Sequence, residues 1–97
     1  MNIVQSIAAI EALLQQALVQ QDWVAIAELD GRCRSLVSEA ANGEARANPA
    51  VRSQIEGLSQ FYGELQQAAR AERERIAGEL TRLNQTKHVN QAYRALE

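Results

Sequence analysis

Ninety-seven residues, with a formal charge of −2 and 46% hydrophobic residues, bound one domain with a modest core. The near-neutral balance gives no electrostatic drive toward nucleic acid or anionic lipid, so neither is an expected partner. A single cysteine excludes an internal disulfide, and no Cys/His cluster suggests a metal or other cofactor.

Ala, Leu, Gln, Glu and Arg dominate, so the chain is expected to be all-α. The start, MNIVQSIAAIEALLQQ, has no basic n-region and is broken by Gln, Ser and Glu. It reads as neither a secretory signal nor a membrane span, which makes a cytoplasmic location the default. Residues 2–20 form the first amphipathic helix. Ile3, Ile7, Ile10, Leu14 and Ala17 step by four and three along one face, and Val4, Leu13 and Leu18 widen the stripe.

Asp22 has the short carboxylate of an N-cap, so a second helix is expected over about 22–41. Its buried face is Trp23, Ile26, Leu29, Cys33, Leu36, Val37 and Ala40, with Asp30, Arg34 and Glu39 outside. Cys33 reads as a small buried hydrophobe. Trp23 reads first as a packing anchor and second as a ligand platform beside the turn. The short link makes helices 1 and 2 antiparallel. Asn42-Gly43 ends helix 2 by the left-handed conformation that glycine tolerates.

Asn48-Pro49 opens a long third helix, expected to run from Pro49 to about Asn84. Val51, Ile55, Leu58, Tyr62, Leu65 and Ala69 form a seam along it. Ile76, Leu80 and Leu83 keep the spacing after a stutter through Arg73, inside the charged run AARAERER. Arg70–Glu74 and Arg75–Glu79 are spaced as surface ion pairs. NQTKHVN (84–90) is expected to break or bend the helix, with a short fourth helix over 88–96 that carries Val89, Ala92, Tyr93 and Leu96 on one face. His88 reads as an exposed cap. The expected architecture is therefore an antiparallel bundle of three main helices with a short terminal one, all in a single domain over 1–97.

Length supplies the functional argument. Helices 1 and 2 would each span about 28 Å, so helix 3 would outrun them near residue 70. Ile76, Leu80 and Leu83 would then be bare, forgoing several kcal/mol at about 25 cal/mol per Å². Three things could cover them: the folded-back 88–97 segment, a second copy as a homodimer, or a partner's helix. No nucleophile–base pair, phosphate loop or ligand cluster supports an enzyme. The charge is uneven, with six acids and three bases in 1–47 against four acids and six bases in 70–97.

QQDWVAIAELDGRCRSLV (20–37) and ERERIAGELTRLNQTKHVNQAYRAL (72–96), the second carrying N-x-A-Y at Asn90, Ala92 and Tyr93, resemble the FliT family of flagellar type III export chaperones. The resemblance covers essentially the whole chain. It implies a cytoplasmic chaperone that holds the C-terminal region of the filament-cap protein unpolymerised. It also implies delivery of that client to the export ATPase complex and export gate. Family members carry a terminal helix that folds back to restrain partner binding, and in enteric relatives that helix governs contact with a transcription activator. This chain runs only a few residues past Tyr93, which argues against the transcriptional role. Joined to the length argument, the resemblance makes Ile76, Leu80, Leu83, Arg73 and Trp23 the candidate partner-binding residues. Val89, Tyr93 and Leu96 are then the candidate autoinhibitory cover. The competing readings are another helical adaptor, a homodimeric coiled coil, or a regulator that sequesters the activator.

Overall fold

The computed structural model describes residues 2–96. It contains α1 (Ile3–Val19), α2 (Trp23–Asn42), a short 3-10 turn (Glu44–Ala47) and α3 (Pro49–Leu96), with no strand among the described residues. The single domain expected over 1–97 resolves into two compact units, residues 1–63 and 64–97, and α3 contributes to both.

The first unit is held by side-chain caps and an apolar core. Asn2 and Gln5 close a capping box at the start of α1: the Gln5 amide donates to Asn2 Oδ1 at 2.8 Å, and the Asn2 amide donates to Gln5 Oε1 at 3.2 Å. After Val19 the chain turns sharply through Gln20 and Gln21. The Gln21 amide donates to the Leu18 carbonyl and the Asp22 amide to the Ala17 carbonyl, a Schellman closure. That closure places Gln21 at φ 54°, where glycine is the usual occupant. Asp22 then caps α2 by accepting from the Ala25 amide at 3.1 Å. Asn48 caps α3 by accepting from the Ala50 amide at 2.9 Å, with Pro49 in the first turn as expected.

Gly43 ends α2 differently from the expectation. Its backbone is extended (φ −111°, ψ −173°) rather than left-handed. A Cβ there would stand 3.2 Å from the Glu39 carbonyl oxygen, so close approach to the last turn of α2 is what favours glycine.

Ile7, Ile10, Leu14 and Ala17 of α1, Ile26, Cys33 and Ala40 of α2, and Val51, Leu58 and Phe61 of α3 form the buried core of this unit. Each large aliphatic or aromatic side chain so buried contributes about 1.5–3 kcal/mol. Leu13, expected to widen the buried stripe, is exposed. Phe61 takes a core place that the seam pattern assigned to Tyr62. It lies three residues after Leu58 and four before Leu65, so an unstrained α-helix turns it inward too. Tyr62 is half-buried beside it, ring edge to Phe61 with centroids 6.1 Å apart. The Tyr62 hydroxyl donates to Asp30 Oδ1 at 2.6 Å. Asp30, expected on the solvent side, is therefore a partly buried acceptor that also pairs with Arg34 at 3.2 Å. Gln54 Nε2 donates to the Val4 carbonyl at 2.8 Å and ties α3 to α1.

The second unit is helical throughout its described residues. Leu65 is buried, Ala68, Ala69 and Glu72 are half-buried, and every described residue from Arg73 onward is exposed. The break expected at 84–90 and the separate helix over 88–96 are not formed: α3 continues unbroken to Leu96. The physical reason is that NQTKHVN contains neither Gly nor Pro, and each of its residues costs a helix at most ~0.7 kcal/mol. Thr81 and Thr86 return their hydroxyls to the Ala77 and Arg82 carbonyls at 2.9 and 3.0 Å, satisfying them inside the helix. His88 is accordingly an exposed mid-helix residue and not a cap.

Candidate partner-binding surface

At about 100° per residue, Leu65, Ala69, Ile76, Leu80 and Leu83 fall within a narrow strip of one helix face. The stutter through Arg73 is taken up by this 3.6-residue period, and helical structure is uninterrupted there. Exposure rises along the strip, from 8% at Leu65 to 44% at Ile76, 61% at Leu80 and 66% at Leu83. The bare apolar stripe expected from the sequence is thus present in the second unit.

Charges flank the stripe unevenly. Arg75 reaches Glu72 at 2.6 Å and Glu79 at 2.7 Å. Its hydrogen bonds to Glu72 hold that carboxyl below the usual range, and the same contacts raise the Arg75 guanidinium above its ordinary value. Of the two ion pairs expected from spacing, Arg75–Glu79 forms, whereas Arg70 and Glu74 are unpaired with one another. Arg73 is exposed and takes part in no ion pair among the described residues.

Trp23 belongs to the first unit, half-buried in the first turn of α2. Val19, the last residue of α1, and Val24, in the first turn of α2, flank the link between the two helices and are 85% and 82% exposed. Neither was legible as a surface residue of interest, because both fall off the apolar steps of their helices.

Val89, Tyr93 and Leu96 do not cover Ile76, Leu80 and Leu83 in this structure. They are themselves 53%, 67% and 83% exposed. Tyr93 stands seventeen residues beyond Ile76 on the same helix, about 26 Å along its axis. Continuity of α3 is the reason: without a break at 84–90 the terminal segment has no means of reversing direction. Their side chains also lie roughly 140° around the helix from the first stripe, so they make a second, separate apolar strip.

No cluster of His, Cys, Asp and Glu suited to a metal occurs among the described residues, and Cys33 is buried and free. No helix of the described residues is long and apolar enough to cross a membrane. In a direct family comparison, a family described as "Flagellar protein FliT" matches residues 1–95. The chain belongs to the FliT family. No curated protein and no solved structure matches it. As a FliT-family protein it is a flagellar protein, all-helical among the described residues, with Ile76, Leu80 and Leu83 exposed along α3.

Proposed function

We propose that this FliT-family protein is a cytoplasmic export chaperone and not an enzyme. It binds the C-terminal region of the filament-cap protein, keeps that region unassembled and delivers it to the type III export apparatus, including its ATPase complex and export gate. The observation that carries this reading is the Ile76, Leu80 and Leu83 stripe of α3, which no described residue covers. An amphipathic client helix laid along the stripe is recognised as a helix in a shallow groove. Covering the three side chains contributes roughly 3–5 kcal/mol, a substantial part of the ~8 kcal/mol that a micromolar complex needs. Arg73 is the proposed polar contributor of the same unit, and Trp23, in the first unit, is the proposed aromatic contact for the partner.

Titration calorimetry against the C-terminal region of the organism's own filament-cap protein tests this. Micromolar or tighter binding with a negative heat-capacity change is expected. Absence of binding removes the cap-protein role. The same bare stripe favours one second reading, in which two copies of the chain cover it mutually. Light scattering decides that point, since a self-covered stripe requires a dimer at micromolar concentration without any client. Sequestration of a transcription activator is the reading left if neither a client nor a dimer is found.

A further inference from the structure

Within the second unit the apolar stripe has a charged continuation. From Leu83, Lys87 lies four residues on and Arg94 eleven, which turns both to within about 40° of Leu83 on the same face, with Asn90 between them. Leu83, Lys87, Asn90 and Arg94 line a shallow depression of about 330 Å³, together with Thr86 and Gln91. The sequence holds no carboxylate between Glu79 and Glu97, and Glu97 lies outside the described residues. Neither Lys87 nor Arg94 forms an ion pair among the described residues. At the other end of the stripe, acids and bases alternate and Arg75 is already neutralised by Glu72 and Glu79. Residues 70–79 carry three bases against three acids, whereas residues 80–96 carry Arg82, Lys87 and Arg94 and no acid, so net positive charge among the described residues lies at one end.

We infer that the stripe and its basic end form one asymmetric docking surface for an amphipathic partner helix. That helix carries apolar residues along one face and carboxylates at the end that lies over Lys87 and Arg94. This rests on the reading that a partner helix occupies the Ile76–Leu83 stripe, and adds to it the partner's charge pattern and its polarity on α3. The apolar part supplies most of the affinity, while the charges set which end goes where and reject helices with a basic end.

Two synthetic helical peptides with the same apolar residues at i, i+4 and i+7 test the inference. One carries two Glu on the continuing face, and the other carries two Gln at those positions. Titrated into the intact protein at low salt, the Glu peptide is expected to bind about three- to tenfold more tightly, as two rim ion pairs allow. Raising the salt to about 0.5 M should erase the preference. The double variant Lys87→Glu, Arg94→Glu, whose residues are exposed and outside any core, should reverse it at low salt while helicity by circular dichroism is kept. Equal binding of the two peptides, or a preference unchanged in the double variant, overturns the charge pattern and leaves the stripe as a docking site. Binding of neither peptide overturns the stripe reading as well. Polyglutamate bound as tightly as the Glu peptide would show a surface for anions at large, and would also overturn the inference.

Discussion

Among the described residues, Tyr62 and Asp30 make one of the two side-chain hydrogen bonds that join helices distant in sequence, the other being Gln54 to Val4. Burial first, then the bond to Asp30, raises the Tyr62 pKa above its ordinary value. A raised folded-state pKa contributes stability that is complete below the unfolded tyrosine value. That stability is lost as pH rises, because above about pH 10 only the unfolded chain gains by ionising. Urea midpoints should therefore fall between about pH 9 and 11, and less steeply in Tyr62→Phe. At neutral pH that variant should lose about 1–2 kcal/mol, since Asp30 is left half-buried with Arg34 as its remaining partner. Gln21 is the other informative residue. Its left-handed backbone costs ~1 kcal/mol for a side chain bearing Cβ, so Gln21→Gly should raise the urea midpoint and gain about 0.5–1 kcal/mol. An unchanged or lower midpoint would mean that the turn holds the residue without strain. Neither position was legible from the sequence. Asp30 sits among charged neighbours that pattern-reading sends outward, and nothing in QQD announces a glycine-like turn.

At the scale of the helices, caps and apolar steps carried the sequence reading well. Asp22, Asn48 and Pro49 stand where their chemistry places them, and the four-three steps of α1 name its buried residues. Phe61 was missed because a strict seam follows a single row of positions, whereas a bundle face is wider. The terminal break was wrong for a different reason. Several weak helix formers in a row add up to a modest penalty but do not supply a breaker, and the i→i−4 ladder continues through them. Continuity reverses an expectation. Were the 88–97 segment a folded-back cover, removing residues 86–97 would strengthen client binding. On an unbroken helix the same deletion should weaken it several-fold, because Lys87 and Arg94 go with it. Tighter binding by the shortened chain, measured by calorimetry, would bring the autoinhibitory role of Val89, Tyr93 and Leu96 back. Gly78 gives a second handle. It lies within α3 with nothing near the place a Cβ would occupy, so Gly78→Ala should raise helix stability by about 1 kcal/mol. The readout is the melting of the 222 nm signal.

At the scale of the whole chain, the bare stripe is legible in the unequal lengths of the helices. Helices of seventeen and twenty residues cannot accompany one of forty-eight along its full course. The basic end of the stripe was not legible in the same way, because charge counted over 70–97 mixes the neutralised Arg75 with the uncompensated Lys87 and Arg94. Only sorting by helix face separates them. The stripe's proposed role yields the most direct test. Leu80→Asp should reduce client affinity at least tenfold while far-UV circular dichroism stays helical, because Leu80 is 61% exposed and supports no core. Client binding that survives the change would place the site elsewhere, with the turn at Val19, Trp23 and Val24 the next surface to test.

The division into two units also equips the molecule with its own optical labels. The only tryptophan, Trp23, lies in the first unit, and the two tyrosines are split, Tyr62 in the first and Tyr93 in the second. Indole emission therefore follows the unfolding of residues 1–63 alone, whereas ellipticity at 222 nm sums both units. A melt in which ellipticity is lost before indole emission changes would show the second unit fraying while the first stays folded. Addition of a client that docks on Ile76, Leu80 and Leu83 would then move the early phase and leave the emission curve in place, with no extrinsic dye attached to the protein.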